Sequence, residues 1–399
     1  MNHRERFLQL QSALKAHEAL WRPSPFYMRR PPWCEAWPAL AAAALALDDE
    51  ALERLVADPD ACRAWLAPRL PVAARLGELC DLAPLPQRAL PPSGRHFDWH
   101  IPGRKREQIE AFAAHSPALW VPLLEWCAGK GHLGRRLAVS DGLPVSSLEI
   151  DPALCADAEH LAARAGVAQT VLCADALAPD SRHHVRGQAV LALHACGELH
   201  RSLVRSAASD GASGYRIAPC CYYRGAQDGY RPLSRDADLQ LDGGALRLAV
   251  TETVTAPRRI QHKLARDQAW KLGFVALRNA LQGEAIRPFK PVPTAWQGGS
   301  FADYCRLLAG REGLALPDEV DWARWEAAGE QRRGEVRRLE LVRHGFRRAL
   351  EVWLVMDLAL GLEEAGFEVE VGTFCDRALT PRNLMVLAER RSEIGRAHV

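Results

Sequence analysis

Two acids flanking a run of small residues are the part of this sequence where chemistry is most legible. Val121–Leu124 is an apolar run that reads as a buried strand, and it leads into Glu125. Cys127-Ala128-Gly129-Lys130-Gly131 follows as a small-residue loop, and Leu133, Leu137 and Ala138 then recur at helical spacing. A second apolar run, Val145–Leu148, ends in Glu149. Strand, glycine loop, helix, strand and acid make the front half of a nucleotide-binding α/β unit. Glycines allow a sharp turn and close approach of a ligand. The helix start offers unpaired N–H groups, and an acid at the second strand tip can accept the hydroxyls of a ribose.

Two ligand classes use this design. Gly129-x-Gly131-x-x-Gly134 matches the dinucleotide fingerprint, with Glu149 lying 20 residues past Gly129, as an NAD(P)-dependent oxidoreductase requires. S-adenosylmethionine (SAM) is the other. It has no pyrophosphate but carries an ammonium, a carboxylate and a sulfonium, and an acid ahead of the loop, Glu125, suits the ammonium.

The elements that must position these residues follow from periodicity. Arg104–His115 reads as a helix with Ile109, Phe112 and Ala113 on one face, and its basic start, Arg104-Lys105-Arg106, precedes the first strand closely. After Glu149 the alternation continues: helix Pro152–Ala165 closed by Gly166, strand Gln169–Cys173, strand Gln188–Leu193, helix Glu198–Ala208, strand Tyr215–Ala218. Five strands separated by helices predict a doubly wound parallel sheet. Leu339, Val342, Phe346, Leu350, Trp353 and Leu354 predict one long helix over Glu335–Glu364, followed by strands Phe367–Phe374 and Leu384–Leu387. A closing hairpin suits a SAM enzyme. A dinucleotide domain would end on a parallel sixth strand.

The rest is less rhythmic. Residues 1–98 read as an N-terminal helical region broken by prolines. The stretch 224–338 reads as an inserted substrate subdomain, with Leu246–Val254 as a strand and Ile260–Leu272 as a helix. The expected parts are therefore 1–98, a Rossmann-like core at 99–223, the insertion at 224–338, and 339–393 completing the sheet. Ile394–Val399, IGRAHV, reads as the translation of a sequencing adapter. At 399 residues more than one domain is expected. No apolar run approaches the ~20 residues of a membrane span, the start lacks a signal-peptide core, and eleven cysteines without disulfide spacing read as reduced thiols. A cytoplasmic protein is expected.

EWCAGKGHL (Glu125–Leu133), SLEID (Ser147–Asp151), ALHACGEL (Ala192–Leu199), PCCYY (Pro219–Tyr223) and TPRNLMVL (Thr380–Leu387) together carry a family likeness. The chain resembles class I SAM-dependent methyltransferases of the methyltransferase-like-25 and glutathione-S-transferase-C-terminal-domain-containing type, as a bacterial variant. More distantly it is similar to a tRNA 2′-O-methyltransferase. The resemblance implies an α/β, Rossmann-like fold with a seven-stranded, mostly parallel sheet, SAM as cofactor, and methyl transfer to an acceptor that could be RNA. It implies that Glu125, Gly129 and Gly131 hold the methionine part, that Glu149 binds the ribose, and that Asp175 contacts the adenine amino group, with Ile150 and Ala176 beside them. Cys127 stands where many relatives have the first glycine. Apart from the resemblance, the basic helix start with Lys105 reads as a cation lying over the cofactor's carboxylate or the substrate's phosphate.

His194, Cys196, Cys220, Cys221 and Tyr222 sit at the ends of the fourth and fifth strands, where open α/β sheets bind ligands. His194 as a base, a cysteine as nucleophile, and small residues shaping the pocket beside a stacking wall of Tyr222 and Tyr223 are the alternatives. Adjacent Cys220-Cys221 is poor spacing for tetrahedral ligation, so no metal is expected. A non-catalytic SAM-binding module remains a rival. Basic runs at Arg104–Arg106, Arg332–Arg338 and Arg343–Arg348 raise RNA as a partner, against a solvated face balanced by Glu330, Glu335 and Glu340.

Overall fold

In a computed structural model, residues 1–93, 97, 101–118, 120–251, 258–283, 287 and 289–390 are described; the adapter-like tail lies outside them. Seven strands form one sheet: β1 (Leu123–Trp126), β2 (Val145–Glu149), β3 (Gln169–Cys173), β4 (Ala189–Cys196), β5 (Gly214–Cys220), β6 (Phe367–Thr373) and β7 (Leu384–Arg390). Their order is β3-β2-β1-β4-β5-β7-β6. The first five are parallel, while β7 runs antiparallel between β5 and β6. This is the Rossmann-like arrangement expected, and it is not the parallel sixth strand of a dinucleotide domain. Between β1 and β4 the chain turns from building the sheet one way to building it the other, and the crevice at their carboxyl ends is where such sheets take ligands.

The middle of the sheet is the part that is covered: β1 and β5 are buried throughout, while β3 and β6 are largely half-buried or exposed. All seven residues of β5 are buried, as parallel strands sandwiched between helices require. Ile109 and Phe112 of the Gly103–His115 helix pack with Leu123, Leu133, Leu137, Val145, Leu191 and Leu387 in one cluster.

Contacts divide the chain into two compact units: Met1–Ala16 with Leu76–Glu252 and Arg347–Val399, and His17–Arg75 with Thr253–Phe346. This grouping differs from the sequence boundaries for physical reasons. Phe7 of the first helix stacks on Trp353 at 5.1 Å. The segment after β5 is tied to the late helix by Asp357, which accepts from the Tyr230 hydroxyl (2.7 Å) and the Leu233 and Ser234 N–H groups (both 2.9 Å). The sheet-bearing unit thus includes the first helix, residues 224–251, and the late helix with its strand hairpin.

Two element expectations are corrected. Leu246 and its neighbours form the helix Gly243–Leu248, capped by Asp242, whose carboxylate accepts from Ala245 N–H; residues 252–254 of the expected strand lie outside the described residues. The long helix is two, Trp322–His344 and Arg347–Glu364, interrupted at Gly345–Phe346. In the second unit, the helices Arg258–Gln282 and Trp322–His344 approach through Gly273 and Gly329; a Cβ on Gly329 would lie 2.3 Å from the Ala269 carbonyl. That unit's core gathers Trp270, Phe274, Phe301, Tyr304 and Leu308.

Candidate functional site

The loop after β1 is shaped by three left-handed residues: Cys127 (φ 57°), Gly129 (φ 58°) and Gly131 (φ 65°). Cysteine holds a conformation that favours glycine, and such strain gathers at ligand sites. Two contacts fix the loop. Ala128 N–H donates to the Leu148 carbonyl at 2.9 Å, and Gly129 N–H donates to Glu149 Oε2 at 2.8 Å. Glu149 Oε1 accepts from Ile150 and Asp151 N–H at 3.0 and 3.1 Å. A carboxylate offers about four lone-pair sites, so these contacts leave it acceptor capacity.

Glu125 is only 6% exposed. Gly134 N–H at the helix start donates to its Oε2 at 2.9 Å, and the Ser147 hydroxyl donates to the same oxygen at 3.2 Å. Burial pushes its carboxyl up to about 7, against the opposing pull of Gly134 N–H, Arg135, Ser147 and Lys105. Gly134 is glycine for space: a Cβ would lie 2.6 Å from Val145 Cγ1 and 2.7 Å from Glu125 Oε2.

Two cavities open at the carboxyl ends of β1, β2 and β4, and Cys127 lines both. The first, about 480 Å³, is walled by Lys105, Gln108, Glu125, Gly129, His132 and His194. The second, about 530 Å³, is walled by Glu149, Ile150, Asp175, Ala176, Leu177 and Arg224, with Cys196 also in its wall. Ile150 and Leu177 are 61% and 45% exposed. Exposed apolar side chains beside two carboxylates fit a flat base whose ribose and amino groups need acceptors.

The expected cofactor residues Lys105, Glu125, Cys127, Gly129, Glu149, Ile150, Asp175 and Ala176 therefore meet along one crevice. Gly131 is in neither wall. Its carbonyl accepts from Gln169 Nε2 at 3.0 Å, and a Cβ there would lie 2.3 Å from that nitrogen, so it shapes the loop instead.

The strand-end cluster is also built by unusual backbone. A register shift in the β4–β5 pairing between Leu193 and Cys196 sets Cys196 opposite Cys220. His194 (φ 62°) and Cys221 (φ 42°) are both left-handed. The Gln108 side-chain nitrogen donates to the Leu379 carbonyl at 3.3 Å, which turns its Oε1 toward His194 Nε2, 3.1 Å away. That contact puts the ring proton on Nε2. Nδ1 is buried and has no partner among the described residues. Burial pushes His194 down to about 4; the Cys221 charge opposes this, and Arg382 and Lys105 reinforce it. The ring is neutral near pH 7.

The sulfurs of Cys196, Cys220 and Cys221 lie within 4.8 Å of one another. Hydrogen bonds with the Cys196 and Cys220 thiols, then the Arg224 and Arg382 charges, hold the Cys221 thiol well below its ordinary value. The sequence objection to adjacent cysteines is thus removed, since the left-handed turn at Cys221 brings both sulfurs together. Tyr222 is a correction in the other direction. It is 2% exposed, packs edge-on against His200 at 5.9 Å, and lines neither cavity. It is no stacking wall, and Cys220 is likewise interior, at 5% exposed. Cys220 is interior because it ends β5, which is buried along its whole length, and Tyr222, two residues beyond, is held by the buried Arg201, which donates to its carbonyl at 2.8 Å.

Residues 105–227 match a family model described as a methyltransferase domain. The match supports a methyltransferase family for the part of the chain that supplies nearly all of both cavity walls and the strand-end cluster. No curated protein matches the chain in sequence. Sequence reasoning missed Gln108, His132, Leu177 and Arg224 as wall residues. Leu177, an apolar residue two past a strand-end acid, was the one with a readable signal. No described helix is long and apolar enough to cross a membrane.

Proposed function

We propose that this chain transfers a methyl group from SAM to a nucleophilic acceptor. The observation that carries the reading is the pair of cavities meeting at Cys127, one with a buried acid and a lysine, the other with two acids and exposed apolar walls. These residues fit the cofactor's two halves. Lys105 complements its carboxylate and Glu125 its ammonium. Glu149 and Asp175 offer acceptors to the ribose and the adenine amino group, and Ile150 and Leu177 cover the ring. Bound SAM supplies a methyl group already activated on a sulfonium. The protein's work is to align the acceptor with it and exclude water. For an acceptor that must lose a proton, we assign His194, whose side chain lines the first cavity, as the base.

SAM or its demethylated product should raise the melting temperature by mass action, about 2.7 kcal/mol of stabilisation at a hundredfold excess over Kd. Glu149→Ala should abolish that shift, since it removes both a ribose acceptor and the clasp on Gly129. No shift at millimolar ligand rejects the reading. Binding without any methylated product from fractionated lysate and tritiated SAM would make the chain a non-catalytic binder.

For the acceptor class we propose RNA, on the exposed basic start Arg104-Lys105-Arg106, of which Arg104 and Lys105 line the first cavity. The later basic runs do not support it. Arg332 donates to the Pro25 and Met28 carbonyls and pairs with Glu335, Arg338 pairs with Asp49, and Arg343 pairs with Glu340. RNA held through phosphates weakens steeply with salt, so a salt-insensitive or absent gel shift rejects RNA and leaves methyl transfer standing.

A further inference from the structure

We propose that Cys196, Cys220 and Cys221 form a zinc site with an open fourth position. All three sulfurs lie within 4.8 Å of one another, and Sγ of Cys196 is 3.3 Å from Sγ of Cys220. Tetrahedral zinc with Zn–S bonds of about 2.3 Å needs ligand sulfurs roughly 3.8 Å apart, which falls between those two distances. The thiolate set selects soft or borderline ions over magnesium or calcium.

Two backbone features accompany the arrangement. In a regular strand, neighbouring side chains point to opposite faces, so Cys220 and Cys221 would diverge. The left-handed Cys221 prevents this. The β4–β5 irregularity places Cys196 opposite Cys220. Three cysteines at two adjacent strand ends are thus gathered beside left-handed backbone of the kind that clusters at functional sites.

Charge and access agree. Three thiolates around a dication leave one net negative charge, and the guanidinium groups of Arg224 and Arg382 act on this cluster. Cys196 and Cys221 are half-buried, and Cys196 lines the second cavity together with Arg224. Three protein ligands with access to a cavity is the pattern of a zinc site that takes a water or a substrate as its fourth ligand. Binding releases the protons of those thiols still protonated, and no electron is transferred.

The test uses the full, reduced chain without SAM, so its outcome is independent of methyl transfer. After equilibration with Zn(II) and removal of excess, one zinc per chain is expected. Cobalt(II) in its place should show thiolate-to-metal absorption in the near ultraviolet. Cys196→Ser and Cys221→Ser should each weaken zinc binding by at least roughly tenfold and remove that band, while Cys173→Ser, an exposed thiol outside the cluster, should change neither. Circular dichroism and a cooperative thermal transition without ligand report whether each variant is folded. Should either serine variant fail to fold, Cys196→Ala and Cys221→Ala replace it. Zinc absent from the reduced wild-type chain overturns the proposal. So does zinc retained at full affinity in both cysteine variants, or recovery only of a metal-free Cys196–Cys220 disulfide.

Discussion

Glu125 illustrates what burial does to a single group. Its carboxyl is raised from 4.5 to about 7, so in the folded chain it takes up a proton that the unfolded chain has released. Below the unfolded value both states are protonated and the group is neutral for stability. As pH rises through the interval the folded state loses ground, by roughly 3 kcal/mol once both states are ionised. Glu125→Gln keeps an oxygen for Gly134 N–H and Ser147 but cannot ionise. The variant should therefore gain stability on the wild type as pH rises through that interval and match it at lower pH, measured by urea unfolding across a pH series. Asp357, itself raised to about 6, is present in both proteins and cancels in the difference. Parallel profiles would mean that Glu125 is not held as described.

At the scale of elements, the helix Arg347–Glu364 is the clearest case of a part whose surroundings outweigh its pattern. Every residue from Ala349 to Leu360 is buried, including Glu351, paired with Arg348 at 2.7 Å, and Asp357. The apolar spacing marks one face of this helix, whereas burial extends to its polar side chains as well. Asp357→Ala would leave the Tyr230 hydroxyl and two backbone N–H groups unpaired in the interior, with a loss on the order of 3 kcal/mol. Asp357→Asn keeps an acceptor and should lose less. Chemical denaturation ranks the two, and equal losses would mean that the loop 230–234 finds other acceptors. The sheet edge is handled by a short addition: Leu85 N–H donates to the Thr373 carbonyl at 3.0 Å and Thr373 N–H to the Ala83 carbonyl at 3.2 Å. These bonds pair the last residue of β6, whose backbone groups would otherwise stand open at the sheet edge.

For the whole molecule, two units with separate cores make two-state unfolding unexpected. All residues walling the two cavities belong to the sheet-bearing unit. Differential scanning calorimetry should resolve two transitions, of which SAM raises only one. A single transition that moves as a whole with ligand would show that the units unfold together.

What the sequence determined by itself was the α/β core, its glycine loop, and the acids at the strand tips. These features are local: a buried parallel strand is a continuous apolar run, a tight βα turn needs small residues, and an acid at a strand end is placed by the strand alone. The break at Gly345–Phe346 was not legible, since apolar spacing continues on both sides of it. Nor was the helix at Gly243–Leu248, since the β-prone Val250, Thr251 and Val254 just beyond it suggested a strand, while the Asp242 cap and burial of Leu246 and Leu248 fix a helix. Only tertiary structure decided that Tyr222 points inward, that Gln108 fixes the His194 ring, and that three thiols from two strands converge. Each depends on contacts between residues distant in sequence or on a backbone angle that residue type does not specify, and the periodicity of a chain carries no record of either.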